Sequence, residues 1–88
     1  MRVISQDGTI DVPYEISSLI MASGKYEDVE CAAIYCHNHS TAMGTKMAEY
    51  SSKEKAKKAM EMLRSDYKRC IKCHYLMTFQ FPEEEELE

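Results

Sequence analysis

The chain has 88 residues, of which 44% are hydrophobic and 30% charged, and its formal net charge is −4. That length holds one domain with a small core, and that composition excludes a disordered chain. No basic segment followed by an apolar run opens the sequence and no stretch approaches ~18 apolar residues, so neither a signal peptide nor a membrane span is expected, and the cysteines are expected to be reduced thiols of a cytoplasmic protein.

The first residues read as a hairpin. Val3–Ser5 and Thr9–Val12 flank Gln6-Asp7-Gly8, and Asp-Gly is a strong short-turn signal. Pro13 bars its strand from a central position. Ile16–Ala22 and Val29–Cys36 are short apolar runs separated by Ser23-Gly24-Lys25. Two strands joined by that turn is the reading adopted. A helix is the rival, with Ile16, Leu19 and Ile20 on one face and Gly24 as its C-cap. The polar stretch His37–Gly44 reads as a loop, and Thr45–Tyr50 as a strand leading into a helix.

The helix is predicted over residues 51–70, with Ser51 as N-cap and Glu54 completing a capping box. Ala56, Ala59, Met60, Leu63, Tyr67 and Cys70 fall on one stripe at helical spacing. Lys53, Glu54, Lys57, Lys58, Glu61, Arg64, Lys68 and Arg69 lie opposite. Glu54–Lys58, Glu61–Arg64 and Asp66–Arg69 have ion-pair spacing. Beyond it, Cys73–Phe81 alternates Tyr75, Met77, Phe79 and Phe81 with Leu76, Thr78 and Gln80, the period of a half-buried strand that Pro82 stops. The sum is an α+β fold: a small, mostly antiparallel sheet with one long amphipathic helix on one face. Residues 1–82 form the single domain. Residues 83–88 are an acidic tail expected to be solvated and disordered, in which Leu87-Glu88 reads as a dipeptide appended for expression.

Three phrases, MRVISQDGTIDVPYE, AEYSSKEKAKKAMEMLR and FQFPEEEE, resemble small uncharacterised proteins encoded in phage and prophage regions of Gram-positive bacteria. They cover about half of the chain; residues 16–44 match nothing in that group. The resemblance implies a mobile-element origin and a bacterial host cell. It implies no activity and carries over no catalytic residue.

Cys31, Cys36, His37, His39, Cys70, Cys73 and His74 are the metal-capable side chains. Cys36, His39, Cys70 and Cys73 could supply a tetrahedral zinc site. Against it, only one Cys-x-x-Cys pair is present, Cys70 lies on the apolar stripe and Cys31 in an apolar run, so ordinary thiols and loop histidines are favoured. Cys70-Ile71-Lys72-Cys73-His74 also has the spacing of a c-type haem attachment, which conflicts with the missing export signal. A thioredoxin-like pair would stand at a helix N-terminus, not at its C-terminus, where the dipole raises a thiol pKa. No cofactor, bound metal or catalytic constellation is called for.

Residues 51–70 hold seven basic and three acidic side chains, +4 in all, which leaves −8 on the remainder of a chain of −4. Lys53, Lys57, Arg64 and Lys68 could therefore face nucleic-acid phosphates. A solvated helix face is the simpler account, because the chain is acidic overall and that face offers no aromatic platform. One helix covers three or four strands, and a larger sheet leaves apolar area open. The expectation is a non-enzymatic accessory protein that works by association, with itself as a homodimer or with another protein, and not at a membrane. A nucleic-acid accessory and a zinc-stabilised module are the alternatives.

Overall fold

The structure, a computed structural model, describes residues 1–37, 44–73 and 78–87. Six strands and one helix form an α+β fold: β1 (Arg2–Ile4), β2 (Asp11–Pro13), β3 (Ser18–Tyr26), β4 (Val29–His37), β5 (Thr45–Tyr50), α1 (Lys53–Cys73) and β6 (Thr78–Gln80). Two three-stranded sheets result, in the orders β2-β1-β6 and β3-β4-β5. All pairings are antiparallel except β1 with β6, which is parallel with Val3 opposite Phe79.

The N-terminal hairpin forms with a wider loop than Gln6-Asp7-Gly8. Its strands pair Ile4 with Asp11, and Ser5 N–H donates to the Ile10 carbonyl at 2.8 Å. Asp7 organises the loop: one carboxylate oxygen accepts from Ser5 Oγ at 2.6 Å, Thr9 Oγ1 at 2.7 Å and Thr9 N at 3.0 Å. Three donors hold its carboxyl at about 2, the Ser5 hydroxyl contributing most. Gly8, at φ +80°, supplies the left-handed residue that the loop needs. Pro13 lies on the edge strand, as its missing N–H requires.

Residues 18–37 are strands, not a helix, but the turn is displaced. Tyr26 pairs with Val29, and Glu27 and Asp28 adopt φ of 50° and 65°. Positive φ at both central residues makes the two-residue turn whose twist suits a hairpin. Ser23, Gly24 and Lys25 instead sit within β3, opposite Ala32, Cys31 and Glu30. Glu27-Asp28 lacks a glycine and is a weaker turn signal than Ser23-Gly24-Lys25, which lies inside the strand.

Helix α1 begins two residues later than predicted and runs three further, through Cys73. Its N-cap is Ser52, whose Oγ accepts from Lys55 N at 3.2 Å. The Ser51–Glu54 capping box does not form. Ser51 N–H donates to Glu84 Oε1 at 2.7 Å, and Lys53 N–H to Glu30 Oε1 at 3.2 Å. The apolar stripe is buried at Ala56, Ala59, Met60 and Leu63 and half-buried at Tyr67 and Cys70. It packs on β3, β4 and β5, against Ala32, Ile34, Cys36 and Ala48. Small residues on both sides let the helix approach closely, while Leu63 fills the space between; truncating Leu63 to alanine would cost about 2–5 kcal/mol. Asp66 and Arg69 pair at 3.9 Å.

The C-terminal strand is shorter than Cys73–Phe81. Cys73 is helical, residues 74–77 lie outside the described residues, and β6 holds the alternation with Phe79 buried between exposed Thr78 and Gln80. Phe79 and Phe81 meet edge to face at 5.4 Å. The acidic tail is not free of the domain. Glu84–Leu87 forms a 3₁₀ turn with Leu87 4% exposed, and Lys58 Nζ donates to its carbonyl at 2.8 Å. Lys55 pairs with Glu84 at 3.4 Å. The basic first turns of the helix thus draw the acids back, and the Ser51 donor, aided by Lys55, holds the Glu84 carboxyl below its ordinary range.

Candidate interaction surface

The edges of the two sheets are treated differently. The outer edge of β5 is closed by a single residue: Gln6 N–H donates to the Met47 carbonyl at 2.7 Å, and Gln6 Oε1 accepts from Glu49 N at 3.1 Å. Its Nε2 donates to the Pro82 carbonyl at 3.1 Å, so one side chain joins β5 to both ends of the chain. Strand β2 is three residues long and ends in Pro13. Strand β3 has nine residues, contains no proline, and among the described residues has a partner only on its β4 side. A long, bare edge is what soluble proteins ordinarily avoid.

The turn fixes which groups that edge presents. Tyr26 and Val29 flank a two-residue hairpin turn, so they exchange both main-chain hydrogen bonds, and alternate residues back along the strand do the same. Ser18, Ile20, Ala22 and Gly24 therefore bond to β4. Leu19, Met21, Ser23 and Lys25 turn their N–H and C=O groups outward. The same four residues direct their side chains to the helix side of the sheet, because side-chain and amide directions alternate together.

Beside this edge runs a groove between β3 and α1. It encloses about 180 Å³ and is lined by Leu19, Met21, Met60, Lys57, Glu61 and Arg64. Its floor is apolar and its rim charged. Among the described residues no helix covers the other face of the sheet. There Ile20 is 49% and Val29 66% exposed, Ala22 and Cys31 are exposed, and Ala33 and Tyr35 are partly covered. Residues 22–25 and 27–31 are exposed on both faces, so the end of the β3–β4 hairpin projects beyond the core of a molecule 45 × 33 × 19 Å in extent.

The sequence-derived sites fall as follows. Lys53, Lys57, Arg64 and Lys68 are all exposed on α1. Lys57 and Arg64 are brought together at the groove rim, with Glu61 between them; Lys53 opens the helix. Of the zinc candidates, Cys36 is 2% exposed in the core and Cys70 half-buried on the stripe. His39 lies outside the described residues, as does the side chain of Cys73. Among the described residues no three His, Cys, Asp or Glu side chains converge as metal ligands. No described helix is long and apolar enough to cross a membrane.

Sequence reasoning did not single out Gln6, Glu27-Asp28 or the edge of β3. Gln6 has no local signature, since its partners are distant in the chain. The proline-free run of residues 18–26 was a visible signal, but strand order decides whether such a run is an edge. Comparison with family models, curated proteins and solved structures returned no match.

Proposed function

We propose that this protein is a non-enzymatic accessory protein of a bacterial cell that acts by association, forming a homodimer. The observation that carries this reading is the surface of the β3-β4-β5 sheet that no described element covers: a nine-residue edge next to an apolar groove, and an outer face bearing Ile20 and Val29. A small domain that already closes β5 with a dedicated side chain gains from covering β3 too. Among the acidic groups with described partners, four serve structural ends: Asp7 in a turn, Glu15 on the terminal amine, and Glu30 and Glu84 at the start of the helix. That use agrees with a role in association and not in catalysis. The phage-region resemblance fits a small accessory protein working in the host cytoplasm.

Sedimentation velocity across micromolar concentrations, with native mass spectrometry, tests the proposal. A concentration-dependent dimer is expected. A monomer throughout that range would remove it.

A further inference from the structure

We infer that the homodimer proposed above forms by antiparallel pairing of β3 with β3 of a second copy, about a twofold axis at Ala22, to give a continuous six-stranded sheet. The inference rests on that reading and adds the surface and register.

Four observations select this surface and occupant. First, β3 is the long open edge, and antiparallel self-pairing uses the same edge of both copies, so assembly closes at two. Second, the outward amides belong to the odd-numbered residues 19–25. Pairs must then join odd to odd, and a register centred on Ala22 matches Ser18–Tyr26 over its whole length. Leu19 of one copy faces Lys25 of the other and Met21 faces Ser23, for about eight main-chain hydrogen bonds. Third, shape agrees on the outer face. Ile20 of one copy lies opposite Gly24 of the other, and the space where a Gly24 side chain would stand is open. Ala22 meets its equivalent on the axis, where a non-hydrogen-bonded pair brings side chains close and a small residue fits. Fourth, like charges are kept apart along the ladder. Strand β3 has one charged side chain, Lys25. In this register the two copies' lysines stand at opposite ends of the ladder, each opposite Leu19 of the other copy.

A proline variant and a pair of cysteine variants test the register together. Ser23→Pro removes an outward N–H but no bond to β4, and Ser23 is exposed, so the monomer fold is kept. Its dimer dissociation constant is expected to rise by about 100-fold or more, with an unchanged far-UV spectrum. Ala22→Cys in a Cys31→Ser background is expected to form an intermolecular disulfide under mild oxidation, while Ala33→Cys in that background does not. A dimer that tolerates Ser23→Pro and fails to crosslink at residue 22 overturns this inference and leaves self-association standing. A wild-type chain that stays monomeric overturns both. Should Ser23→Pro unfold, the crosslinking pair alone decides.

Discussion

The Tyr50 hydroxyl donates to the Pro82 carbonyl at 2.8 Å, tying the last residue of β5 to the chain segment that follows β6. Burial, and then the carboxylates of Glu83, Glu86 and Glu84, push the phenol's pKa well up, so it remains a donor at any ordinary pH. The same carbonyl accepts from Gln6 Nε2. Tyr50→Phe should cost about 0.5–1.5 kcal/mol and Gln6→Ala about 1–2 kcal/mol. Each single change leaves the carbonyl one donor; the pair leaves it none. Denaturant unfolding of the double variant should therefore show a loss larger than the sum. An additive cycle would mean that the two donors are not sharing the acceptor.

Capping separates two adjacent serines. Ser52→Ala should cost about 1 kcal/mol, because its hydroxyl oxygen takes the Lys55 N–H. Ser51 contributes its backbone N–H to Glu84, so Ser51→Ala should be within about 0.5 kcal/mol of wild type. Thermal melts of the two variants check the order; a larger loss at Ser51 would restore the predicted capping box.

Acid should loosen the N-terminal hairpin first. Asp7 is held at about 2 against an ordinary 3.8. A depressed carboxyl stabilises the fold above its unfolded value and loses that contribution as pH falls through the folded one. The loss from Asp7 thus falls between pH 3.8 and about 2. Glu15, held low by its bond from the terminal amine, and Glu84 add losses of the same sign. Asp7→Asn should flatten the acid limb of stability against pH, read from urea midpoints, and leave its slope above pH 5 unchanged. An acid limb identical to wild type would assign the effect elsewhere.

Gly44 is held by two separate constraints. Its φ is +77°, and an added Cβ would stand 2.7 Å from His37 Cε1. Gly44→Ala should cost about 1–3 kcal/mol. His37→Ala in the same chain should recover the steric part alone and leave the backbone part of about 1 kcal/mol. Full recovery would show that the conformation itself is not strained.

Much of the fold was legible in the residues. Ala56, Ala59, Met60 and Leu63 announced the helix face, and the alternation at Phe79 and Phe81 announced β6, because both signals are local periodicities. The Glu27-Asp28 turn was not plainly legible, since Asp28 tolerates positive φ but Glu27 gives no such signal and Gly24 nearby is the stronger local cue. Nor was the tail: five glutamates suggest solvation until the basic start of α1 is placed beside them. The candidate surface was legible only as an expectation of uncovered area. Which strand is bare depends on Gln6 reaching β5, a relationship between residues 6, 47 and 49 that no window of sequence contains.

The parallel pairing of β1 with β6 has a consequence for synthesis. Val3 leaves the ribosome long before its neighbour Phe79 is made. The β1–β2 hairpin must wait for β3, β4, β5 and α1 to be made before its second edge is covered. Its folding is therefore dominated by a late, long-range step, and a chain released early keeps Val3 and Tyr50 without the strand and proline that bury them. The core closes only once β6 and the residues just after it have been made.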